Sequence, residues 1–79
     1  MITVNVASDN RPSYLLDTDK DEYKIENVTS VQNLDSISVD IFDQDGKQII
    51  IEPKQWVRWD SETFFTIKHI GYKIKLGLR

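Results

Sequence analysis

A chain of 79 residues with no cysteine and a formal net charge of −3 leaves little room for several function classes. It forms a single domain, 1–79, that buries only about 60% of its unfolded surface, so no large internal active-site cavity is expected. Neither a disulfide staple nor a thiolate metal site can be built, and a sequence pI of about 4.9 is far from the basic balance of a nucleic-acid-binding domain.

The charge is uneven along the chain. Residues 1–45 hold ten acids against three bases, net −7, whereas residues 46–79 hold seven bases against three acids, net +4. No apolar run reaches signal-peptide or membrane length, so a soluble chain with no membrane partner is expected, in a cytoplasmic or otherwise intracellular setting. Without a leader, the Asn27-Val28-Thr29 sequon reads as a chance match.

Ile2, Val4 and Val6 alternate with Thr3 and Asn5, which predicts a first strand with those apolar residues on its core face, closed by the turn formers Ser8 to Pro12. Tyr14, Leu15 and Leu16 predict a short second strand or an irregular edge segment. Asp17 to Glu22 is a polar loop. A third strand follows through Tyr23 and Ile25, with Val28 an optional extension. Asn27 to Asp35 is expected to be a connection whose Val31 and Leu34 plug one end of the core.

Ser36 to Glu52 predicts a β-hairpin whose register follows from its turn. With Gln44-Asp45-Gly46 as a three-residue loop and Gly46 left-handed, Asp43 faces Lys47, Ile41 faces Ile49 and Val39 faces Ile51. These four apolar residues share one face with Ile37, while Ser38, Asp40, Phe42, Gln48 and Ile50 share the other. Pro53 ends the second strand because it has no N–H for the ladder.

Trp56-Val57-Arg58-Trp59 continues as a strand with its two tryptophans on opposite faces, so one of them is expected to be partly exposed. Asp60-Ser61-Glu62 reads as a turn. Thr63 to His69 then predicts a second hairpin with Tyr72 to Leu78 around Ile70-Gly71. That register sets Ile67 opposite Ile74, Phe65 opposite Leu76 and Lys68 opposite Lys73, the last a like-charge pair that opposes the sheet.

The chemical constellations are incomplete. Asp17-x-Asp19-x-Asp21 begins like a calcium loop, but Glu22 stands where the sharp-turn glycine belongs and Val28 where a bidentate glutamate should close the sphere. The segment reads as a solvated acidic loop. Asp43-x-Asp45-Gly46 is what a tight turn needs. His69 is the lone histidine, which rules out a histidine-based zinc cluster or a Cys/His nucleophile pair within one chain. No serine sits in a nucleophile elbow. No catalytic residue, metal, cofactor or enzymatic activity is therefore expected.

These elements predict an all-β fold, a small antiparallel barrel of the SH3-like or OB-like kind or a compact β-sandwich, of about six or seven strands. The expected core is Ile2, Val4, Val6, Ile25, Ile37, Val39, Ile41, Ile49, Ile51, Phe65, Ile67, Ile74 and Leu76. The expected function is a non-enzymatic protein-interaction or assembly module, a structural component or a small protein inhibitor. Its contact surface is Phe42, Ile50, Trp56 and Arg58, apolar and aromatic groups rimmed by charge. The partner is another protein or copies of the chain itself, and the acidic and basic halves suit a head-to-tail homo-oligomer. The alternative is nucleic-acid binding by a basic strand face of Phe64, Lys68, Lys73, Lys75 and Arg79, where cations follow phosphates and an aromatic stacks on a base.

Overall fold

The computed structural model describes residues 1–6, 13–17, 21–68 and 73–79. They build seven strands: β1 (Ile2–Asn5), β2 (Tyr14–Asp17), β3 (Tyr23–Asn33), β4 (Val39–Phe42), β5 (Gln48–Ile51), β6 (Trp56–Ile67) and β7 (Lys73–Leu78). All belong to one sheet of order β2-β7-β3-β6-β4-β5, with β1 beside β3, and the sheet does not close on itself. Every pairing is antiparallel except β1 with β3, which is parallel.

The β4–β5 hairpin has the register its turn dictates. Val39 pairs with Ile51 and Ile41 with Ile49, and Gly46 adopts φ 80°, a conformation its missing Cβ makes inexpensive. The Asp43 N–H donates to Lys47 O at 2.9 Å and the Gly46 N–H to Asp43 O at 2.9 Å. The Asp43 carboxylate also accepts from the Asp45 and Lys47 N–H groups, both at 2.9 Å. Its letters are spent on the turn.

Ile37 does not join the core. It is 44% exposed, because the ladder cannot extend to it: continuing the register would set Ile37 opposite Pro53, which has no N–H to give. The Ile37 carbonyl is taken instead by the Asn33 side-chain amide at 2.7 Å. Asn33 is fully buried. The same amide donates to Ile51 O at 2.8 Å, and its Oδ1 accepts from the Asp35 N–H at 2.8 Å. The Asn33 backbone accepts from the Lys54 N–H at 2.7 Å and donates to Gln55 O at 3.1 Å.

The segment expected to connect the third strand to the hairpin is itself strand. β3 runs through Asn27 to Asn33 because a bulge, not a turn, interrupts its alternation: Asn27 takes φ 56°, and its side-chain amide donates to Asn5 Oδ1 at 3.0 Å. Register shifts on both sides of Val28, this bulge before it and a second shift before Ser30, reset which residues face inward. Ile25, Val28 and Val31 are therefore all fully buried at a spacing of three, a pattern that strict alternation cannot produce. β6 is irregular at the matching place. Val28 pairs with Thr63 and Ser30 with Arg58, so Trp59 to Glu62 stand on β6 where β3 has Thr29 alone. The expected turn at Asp60-Ser61-Glu62 is thus an extrusion within a long strand.

The expected β6–β7 hairpin does not form. β7 lies on the other side of β3, with Val31 opposite Leu78 and Asn33 opposite Leu76. Once β3 continues past its bulge it offers β7 an edge bearing apolar inward residues, and the arrangement avoids setting Lys68 against Lys73. Lys73 faces Asp17 of β2 instead. The anticipated turn, with His69 and Tyr72, lies outside the described residues.

Of the expected core, Val6, Ile25, Val39, Ile41, Ile51, Phe65, Ile67, Ile74 and Leu76 are buried, and Val4 and Ile49 pack partly buried against them. Tyr14, Leu16, Val28, Val31 and Leu78 join. Ile2 does not: at the outer end of parallel β1 its side chain stays exposed while its N–H donates to Glu22 O at 2.8 Å.

Two substitutions test this frame. Asn33→Ala should lower unfolding stability in urea by roughly 2–4 kcal/mol, because several buried groups lose their partners at once. Gly46→Ala should cost about 1–2 kcal/mol although a Cβ there meets nothing within 4 Å, since the left-handed backbone alone opposes it. A loss below about 0.5 kcal/mol at Asn33 would contradict its role.

Candidate functional site

The sheet splits the expected interface into two places. Phe42 and Ile50 lie on the outer face over β6, β4 and β5, where the registers run Lys24, Thr66, Phe42 and Gln48 across one row. Ile50 is 55% exposed and Phe42 is half-buried. Both aromatics on this side carry a cation: Lys24 Nζ lies 4.5 Å from the Phe64 ring centre and Lys68 Nζ 5.5 Å from that of Phe42. A base stacking there would have to displace the lysine from that ring face.

Trp56 and Arg58 belong to the opposite end of β6. There the strand pairs with the second half of β3, and β3 pairs with β7. Ser30 faces Arg58 on one side, and on the other it exchanges backbone bonds with Arg79, at 2.9 Å from the Ser30 N–H and 3.0 Å back to Ser30 O. Residues directly opposed in an antiparallel ladder project to the same face. Arg79, Ser30 and Arg58 therefore form one outward row. In the next row Gly77, Gln32 and Trp56 align, and Gly77 contributes no side chain.

The result is an open groove of about 450 Å³ lined by Thr29, Ser30, Trp56, Arg58, Trp59 and Arg79. Its volume falls within the usual range of ligand sites. The Arg58 guanidinium sits over the Trp56 ring at 5.1 Å, which holds both side chains against the sheet. Trp59 stacks on the buried Phe65 with ring centres 5.8 Å apart and planes at 21°. One tryptophan is anchored in the core and the other, 38% exposed, stands free of it. Among the described residues neither the Arg58 nor the Arg79 guanidinium is paired with a carboxylate.

The expected basic face is divided in the same way. Phe64 and Lys68 share the outer face with Phe42, while Lys73 and Lys75 lie on β7, beyond β3, and Arg79 directly follows that strand. Arg79 alone of that set lines the groove. Thr29, Ser30 and Trp59 enter the site unforeseen, because their meeting depends on the bulge register between strands distant in sequence.

The acidic segment has another use for its last carboxylate. Asp21 Oδ1 accepts from the Met1 ammonium at 2.9 Å and from the Glu22 N–H at 2.8 Å. The ammonium bond first, and the backbone bond second, hold the Asp21 carboxyl below its ordinary range. Asp19 lies outside the described residues, among which no three His, Cys, Asp or Glu side chains gather as a metal site. No family model matches the chain, and neither the curated proteins nor the solved structures compared with it gave a match.

The two tryptophans should separate in stability. Trp59→Ala is expected to cost about 3 kcal/mol through lost packing on Phe65, and Trp56→Ala less than about 1 kcal/mol. Equal losses in chemical denaturation would deny the groove its anchored wall and free wall.

Proposed function

We propose that the chain is a non-enzymatic protein-binding module whose contact surface is the groove between β7, β3 and β6. One observation carries this reading: two guanidiniums that meet no carboxylate among the described residues flank Ser30 on one cross-strand row, beside an exposed Trp56. Arg and Trp are the residue types that dominate contact energies, and here both are held in place, Arg58 by Trp56 and the floor by Trp59 on Phe65. The fitting partner is an extended protein segment with a carboxylate for the arginines and a flat or apolar side chain for Trp56. The scaffold is best read as an open, coiled barrel rather than a sandwich, since one sheet encloses one apolar cluster.

A second reading, single-stranded nucleic acid, draws on the same Arg58, Trp56 and Arg79. Against it stand the exposed Asp60 and Glu62 on the adjoining extrusion and the acidic balance of the whole chain. Both would repel a phosphate backbone running past the groove.

Titration with an otherwise uncharged peptide carrying one glutamate and one tyrosine, followed by tryptophan emission, tests the first reading. Binding is expected, and Arg58→Ala or Arg79→Ala should each weaken it about fivefold, the effect of losing one charge-assisted contact at a partly exposed site. Tighter binding of oligo-dT, falling steeply with salt, would establish the second reading instead. No emission change with either probe would overturn both.

A further inference from the structure

We infer that β5 is a self-pairing edge, and that a second copy of this chain adds its own β5 antiparallel across a two-fold axis at Ile49. The sheet order ends at β5, which has β4 on one side and no described strand on the other. The phase of its free backbone groups follows from the turn. Asp43 and Lys47 form a bonded pair, and bonded pairs alternate along an antiparallel ladder, so Ile49 and Ile51 point their backbone groups at β4. Gln48 and Ile50 point theirs away. The free run stops there, because the Glu52 N–H donates to Gln55 Oε1 at 2.9 Å.

Those two N–H and two C=O groups are self-complementary. With Gln48 of one copy opposite Ile50 of the other, and the reverse across the axis, each group meets the partner it lacks. The same register sets Ile49 against Ile49, where each half-buried side chain finds apolar cover beyond the open end of its own core. It also brings the exposed Ile50 side chains together on the outer face. No like charges are opposed, and each Lys47 approaches the end where the other copy carries Glu52. The edge is short, four residues with Lys47 before it and Pro53 just past Glu52, but within it Gln-Ile-Ile-Ile contains no charge and no proline, and the pairing shows no bulge. A two-fold contact of one strand with itself closes at two copies.

Sedimentation equilibrium of the full chain over rising concentration should show mass doubling from 9.2 kDa and stopping there. Gln48→Pro removes one free donor without touching the β4 ladder, and Ile50→Lys places like charges near the axis. Each should weaken dimerisation at least tenfold while near-ultraviolet dichroism of the Trp59 region stays unchanged. Because the chain has no cysteine of its own, Ile49→Cys should cross-link two copies through a single disulfide on mild oxidation. A monomer at every concentration would overturn the inference. So would a dimer that survives Gln48→Pro, or growth beyond two copies, which is what head-to-tail pairing with β2 would give. Arg58→Ala should leave the dimer intact, so failure here and failure of groove binding are separate results.

Discussion

One buried amide stands in for a hydrogen that the backbone cannot supply. Pro53 follows β5 without an N–H, and the ladder with the chain entering β4 would be left open at the Ile37 carbonyl. Asn33 reaches across from β3 and donates to the carbonyls of Ile37 and Ile51. Its backbone bonds the loop that leads into β6, and its neighbours Leu34 and Asp35 bond Lys75 of β7, at 3.1 and 2.7 Å. Strands that are not adjacent in the sheet are thereby referred to one side chain. Satisfied on donor and acceptor sides, such a group specifies a single arrangement, because every alternative leaves polar atoms dry and unpaired.

The groove depends on the same strand a turn earlier in its path. The bulge at Asn27 and the extrusion of Trp59 to Glu62 are two halves of one adjustment between β3 and β6. A regular ladder would have carried Trp59 along the inner face and kept Thr29 in step with it. The extrusion brings both to the rim, where they line a space together with Arg58 and Arg79. Bulges commonly re-aim side chains at functional places, and here the re-aimed residue is an aromatic still tied to Phe65.

Local chemistry was legible in the letters, and distant pairing was not. Asp43, Gly46 and the alternating isoleucines specify the β4–β5 hairpin together, since turn type and hydrophobic phase are both encoded within a few residues. Alternation also sets the two tryptophans on opposite faces of their strand, and Trp56 is the exposed one. It failed where a bulge broke the period. Val28 reads as an optional end to the third strand and Val31 as a plug within a connection, so the second half of β3 carries no alternating signal, and β7 falls to β6 for want of another edge. Two residues of the groove, Trp56 and Arg58, could be named from the sequence as a contact surface. Phe42 and Ile50 could be placed on the outer face, but their separation from that pair follows from β6 spanning both halves of β3.

The neighbours of β3 come from far apart in the chain. Its first half rests on β1, before it, and its second half on β7, the last strand, while β6 runs along both. Almost nothing in this core can form from local contacts beyond the β4–β5 hairpin, and topologies of that kind fold on the millisecond to second scale. During synthesis the backbone groups of Ser30 and Leu34 must wait unpaired, and the Val31 side chain uncovered, until Lys75 to Arg79 have left the ribosome. In that interval the free side of β3 is an edge open to other chains, a hazard set by the order in which the strands are made.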